Sequence, residues 1–100
     1  MSARVIRHVI LRGRVQGVGF RVWVEHHALA HDLEGWVRNL RAGGVEAVFA
    51  GPAEAVSEMI ETCRRGPPGA RVETVDDREA DAEALARVRP GERFSVLPTA

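Results

Sequence analysis

A chain of 100 residues, 45% hydrophobic and 28% charged, has the size and composition of one globular domain built on a single core. Its formal net charge of zero excludes capture of nucleic acid or an anionic membrane through bulk charge. The lone cysteine, Cys63, excludes an intramolecular disulfide and a cysteine metal cluster. In chain order, Val5 to Arg12 reads as a first strand, with Val9 and Leu11 facing the core and His8, Ile10 and Arg12 the other side. Gly13 to Gly19 is a loop with three glycines. From Phe20 the residues Phe20, Val24, Ala28 and position 31 fall at helical spacing, and that helix should stop near Asp32.

Gly35 opens a second strand, Trp36 to Leu40, and Ala42-Gly43-Gly44 is a tight turn into a third, Val45 to Phe49. Gly51-Pro52 breaks that strand and starts a helix over 53–65, whose inner face carries Ala55 or Val56, Met59, Ile60 and Cys63. Gly66-Pro67-Pro68-Gly69 ends it, and Ala70 to Val75 is a fourth strand. Residues 76–92 fit either a short exposed helix or a long loop. Phe94-Ser95-Val96 closes the chain as a short final strand. The order β-α-β-β-α-β, with right-handed crossovers, predicts two helices on one face of an antiparallel sheet. That is the ferredoxin-like α/β sandwich, class α+β, in one domain spanning 1–100. Such a fold hosts many functions, so function must come from a site.

Charge points to where the site lies. Residues 1–41 hold seven arginines against Glu25, Asp32 and Glu34, so a small-anion site belongs in this half. All 14 basic residues are arginine. That bias reads mainly as GC-rich codon usage, although a guanidinium suits planar, bidentate anion recognition.

Two segments carry the chemistry. Gly13-Arg14-Val15-Gln16-Gly17-Val18-Gly19-Phe20-Arg21 joins a strand to a helix, where unpaired first-turn amides and the positive dipole end favour an anion. Its glycines let the backbone curl into a concave nest, and Arg21 in the first turn could grip two phosphoryl oxygens. Alone, an arginine there is as readily a solvated one. The loop lacks the Gly-Lys-Ser/Thr of a nucleotide-binding P-loop and the spacing of a dinucleotide fingerprint. The second segment is Gly35-Trp36-Val37-Arg38-Asn39. Asn39 could hold a water in line with a bound phosphorus; alone, an asparagine at a hairpin strand end is as readily turn chemistry.

Together, the two segments closely resemble the acylphosphatase family. Gly66-Pro67-Pro68-Gly69-Ala70-Arg71-Val72 is similar to that family's link from second helix to fourth strand, and the similarity runs from about Val5 to Val75, with Phe94 and Val96 matching the closing strand. The resemblance implies hydrolysis of acyl phosphates to a carboxylate and inorganic phosphate. Arg21 would bind the phosphoryl group and Asn39 would position the attacking water. Main-chain amides of Val15, Gln16, Gly17, Val18, Gly19 and Phe20 would cradle the oxygens. No metal and no cofactor are expected, and the implied enzyme is a monomer with a small-molecule substrate and neither a nucleic-acid nor a membrane partner. No signal-peptide pattern or long apolar run is present, which makes the cytoplasm the expected compartment.

Some positions depart from the family's pattern. Where its first helix ends in an apolar residue and then glycine, this chain has His31 and Asp32. The hairpin turn Arg41-Ala42-Gly43-Gly44 lacks the family's usual acidic residue. His27 and His31 have metal-ligand spacing on a helix but no third ligand, so His27 is expected partly exposed and His31 packed at the helix end. Cys63 reads as a small packed residue. Trp23 and Trp36 could stack bases, but the basic aromatic motif of an RNA-binding sheet is missing, and packing is the expected role. The remaining alternatives are a non-catalytic anion-binding regulatory module of the same fold and a nucleic-acid-binding ferredoxin-like domain.

Overall fold

A computed structural model describes residues 3–100. The elements are β1 (Arg4–Arg14), α1 (Phe20–Ala30), β2 (Glu34–Asn39), β3 (Val45–Pro52), α2 (Ala53–Arg65), β4 (Arg71–Glu79), a short 3₁₀ helix (Ala82–Arg87) and β5 (Phe94–Val96). The sheet order is β4-β1-β3-β2-β5. β1 pairs antiparallel with β3 and β4, and β2 pairs antiparallel with β3, as the crossover argument requires. The short C-terminal strand, whose direction the sequence left open, lies parallel to β2 at one edge, with Gly35 opposite Phe94 and Val37 opposite Val96. The chain reaches that edge by crossing from β4, at the opposite edge of the sheet.

Alternation along the strands sorts the residues as the sequence predicts. Val9 and Leu11 of β1, Val37 of β2, and Val45, Ala47 and Phe49 of β3 are fully buried. They meet Phe20, Val24 and Ala28 from α1 and Val56, Met59, Ile60 and Cys63 from α2 in one core. Truncating a fully buried aromatic in such a core costs about 3–5 kcal/mol. Burial pushes the Cys63 thiol up to about 12, so at neutral pH it is a packed thiol and not a nucleophile.

The other face of the sheet is not bare. Trp36, Val48 and Leu97 form a second cluster, covered by Leu85 and Val88 from the segment that the sequence left open between helix and loop. The Trp36 indole N–H donates to the Ala84 carbonyl at 2.6 Å, which fixes the 3₁₀ turn against the sheet. Trp23 packs against the main core instead. The two indoles therefore lie on opposite faces and form no common stacking platform.

The same face carries a polar network on three strands. Glu46 accepts from Arg38 Nε at 2.6 Å, and its other oxygen lies 2.7 Å from His8 Nε2. Burial alone would raise the Glu46 carboxyl, yet the hydrogen bonds and charges of His8 and Arg38 outweigh it and hold the group below its ordinary value. A carboxyl depressed in the folded state stabilises the fold above its ordinary range, and that contribution is lost as pH falls through the depressed value. Urea midpoints of wild type and Glu46→Gln should therefore differ most at neutral pH and converge only as pH falls through the depressed value of Glu46. A gap that stays constant down to acid pH would show that the network contributes nothing through ionisation.

Candidate active site

β1 and β2 are both antiparallel to β3, so they run parallel and finish at the same end of the sheet. The loop leaving β1, the N-terminus of α1 and the last residue of β2 therefore converge. Asn39 is two residues beyond Val37, whose side chain is in the helix-covered core, so its side chain points to that same face. This is why residues 13–21 and Asn39 meet although 18 positions separate Arg21 from Asn39.

The loop backbone is shaped by two left-handed glycines, Gly17 at φ 75° and Gly19 at φ 73°. A Cβ at either would touch nothing within 4 Å, so glycine is needed there for its conformation and not for space. Gly19 occupies the N-cap of α1 without any side-chain cap. Among the described residues, the N–H groups of residues 15–20 donate to no other protein group. These are the amides that the sequence reading assigned to an anion. Buried Phe20 and Val15 anchor the loop at both ends. Gln16 closes it from the side: its amide nitrogen donates to the carbonyls of Leu40 at 2.8 Å and Gly44 at 2.7 Å, tying the loop to the β2–β3 turn.

A cavity of about 210 Å³ opens at this junction, lined by Val15, Gly17, Gly19, Phe20, Arg21, Val22, Asn39 and Val96. Three larger hollows, of about 290–390 Å³, are lined by other residues. The Arg21 guanidinium donates from Nη1 to the Leu97 carbonyl at 3.2 Å and has no carboxylate partner among the described residues. The Asn39 side-chain oxygen is buried and has no hydrogen-bond partner, while its main-chain carbonyl accepts from Ala100 N–H at 3.0 Å. A buried oxygen left unpaired costs about 1–3 kcal/mol, so something that donates a hydrogen bond belongs beside it.

The sequence reading missed several parts of this arrangement. The Leu97 carbonyl is main chain, and no residue type announces it. Val22 carries a signal in retrospect, since it is apolar yet out of phase with the Phe20-Val24-Ala28 stripe, and it is 64% exposed. Beside the loop, Gly69 sits where an added Cβ would be 3.9 Å from Val18, so the Gly-Pro-Pro-Gly link abuts the glycine loop.

A family model described as acylphosphatase matches residues 7–94. An acylphosphatase of Rhodopseudomonas palustris strain BisB18 is 60% identical over 95% of this chain and 96% of its own length. The chain belongs to the acylphosphatase family. An acylphosphatase of Nitrobacter winogradskyi is 58% identical over the same shares of the two chains. Among solved structures, an acylphosphatase from Coxiella burnetii superimposes with a TM-score of 0.81 at 35% identity, covering 94% of this chain and 93% of that one. Like its relatives, the chain is an acylphosphatase, a hydrolase of acyl phosphates, and the reading as a non-catalytic module is not favoured.

The departures from the acylphosphatase pattern have local consequences only. Asp32 takes the left-handed conformation, φ 60°, that glycine would fill more easily at a helix end. Arg93 braces it, donating to its carbonyl at 2.9 Å and pairing with its carboxylate at 3.2 Å. His27 packs its ring 4.5 Å from Trp23, and His31 lies 3.7 Å from a Glu58 oxygen. Burial and the neighbouring charges of His26, His31 and Arg65 hold His27 below its ordinary value. No three histidine, cysteine or acidic side chains converge among the described residues, and no helix is long and apolar enough to cross a membrane.

Proposed function

We propose that Arg21 and the amides of residues 15–20 hold the phosphoryl group of an acyl phosphate, and that Asn39 holds the water that attacks it. The observation that carries this is the single cavity lined by Asn39, Arg21 and the glycine loop together. A water hydrogen-bonded to the Asn39 side-chain amide would have a lone pair turned toward phosphorus. The charge that spreads over the equatorial oxygens is met by fixed N–H dipoles and one guanidinium, which need no reorganisation during the reaction. The bond that breaks joins phosphorus to the acyl oxygen, and it leaves as a carboxylate, a good leaving group that needs no general acid. Inorganic phosphate is the other product.

No carboxylate, imidazole or thiol lines the cavity, so the protein offers neither a metal ligand nor a strong base there. The water's proton then has the phosphoryl oxygens as its acceptor. The chain acts on this reading as a single domain and a monomer, in the cytoplasm, without metal or cofactor. Acetyl phosphate and benzoyl phosphate should be hydrolysed at the same rate before and after exhaustive treatment with EDTA. Turnover that disappears on chelation and returns with a divalent cation would overturn the metal-free mechanism.

A further inference from the structure

We propose that Val22 and Val96 form the subsite for the acyl group, making apolar, uncharged acyl phosphates the preferred substrate class; this rests on the phosphoryl site proposed above. The cavity lining runs from buried Val15 and Phe20 and half-buried Asn39 to the exposed Val22. Asn39 is half-buried, and its side-chain oxygen is shielded from solvent. Val22 lines the cavity while remaining 64% exposed, and it belongs to neither hydrophobic cluster. A valine that lines a cavity without packing into the core is apolar surface left for something else to cover. Val96, at the end of β5, adds a second apolar wall.

Direction follows from the chemistry. In-line displacement puts the leaving oxygen on the side of phosphorus opposite the water. With the water at half-buried Asn39, the acyl group points to the exposed side of the cavity, where the carboxylate can escape to solvent. There it meets Val22. Arg21 is the single charged residue in the lining, and the phosphoryl group takes it. An acyl group bearing its own carboxylate or a second phosphate would find no counter-ion in that lining and would cover Val22 with a hydrated anion. An aromatic or aliphatic acyl group covers it favourably instead.

The test compares kcat/KM for benzoyl, acetyl and succinyl phosphate. Wild type should favour benzoyl over succinyl phosphate by about tenfold or more, the scale of discrimination available to a small apolar subsite. Val22→Ser should reduce the benzoyl-to-acetyl ratio about fivefold, and Val22→Ile should retain it. Inhibition by inorganic phosphate, which has no acyl group, should shift less than about twofold in Val22→Ser if the phosphoryl site is untouched. Circular dichroism reports whether the variants are folded, and Val22 is exposed enough that they should be. An unchanged ratio in Val22→Ser, or a wild type indifferent between benzoyl and succinyl phosphate, would overturn the subsite. Failure to turn over any of the three would instead remove the hydrolase reading on which the subsite depends.

Discussion

Asn39→Ala is expected to turn over acyl phosphates about a hundredfold or more slowly while binding inorganic phosphate almost as well as wild type. The asparagine is proposed to touch the water and not the phosphate, so its loss removes alignment present only on the way to the transition state. The substitution should also leave the fold intact or slightly firmer. It deletes a buried oxygen that has no partner within the protein, and relief of such a group is worth about 1 kcal/mol. The main-chain bond from Ala100 to the residue 39 carbonyl does not depend on the side chain. A mutant with lost activity and unchanged or raised urea midpoint would thus separate a chemical role from a structural one. Wild-type turnover in Asn39→Ala would remove the water-positioning role altogether.

Arg21→Ala should behave differently, losing about a thousandfold or more in kcat/KM together with affinity for inorganic phosphate. The guanidinium is expected on the phosphoryl oxygens in ground and transition state alike. Lysine should rescue little. The fork of Arg21 has one nitrogen on the Leu97 carbonyl and others free for oxygens in the cavity, and an ammonium cannot reproduce that division of donors. Phosphate inhibition constants for the two alanine variants are the discriminating readout: raised strongly in Arg21→Ala, nearly unchanged in Asn39→Ala.

What the sequence made legible is what local pattern determines. The buried stripe of α1, the inner face of α2 and the in-out alternation of β1 are short-range periodicities, and they appear in the structure as read except at position 31, where His31 caps α1 and is only half-buried. The convergence of residues 13–21 with Asn39 was legible too, because the chain order leaves β1 and β2 parallel with their ends together. The stretch beyond Val75 was not. β4 continues to Glu79 through Asp76, Asp77 and Arg78, a run whose charges disguise a strand. It is held by main-chain pairing to β1 and by the Asp77–Arg7 bond at 2.8 Å, both of which depend on distant residues. Charged side chains on an edge strand also discourage pairing with another chain. The 3₁₀ turn gives too few apolar residues for a period, and only Trp36, far off in sequence, explains why Leu85 and Val88 are where they are. β5, three residues long, could be read as a strand but not assigned a direction.

The most direct measurement is hydrolysis of benzoyl phosphate by the wild-type protein in water enriched in oxygen-18. Attack of the Asn39-bound water on phosphorus predicts one labelled oxygen in the inorganic phosphate and none in the benzoate. Label in the benzoate would mean that water attacks the carbonyl carbon, and would contradict a site built to hold phosphorus between Arg21 and Asn39.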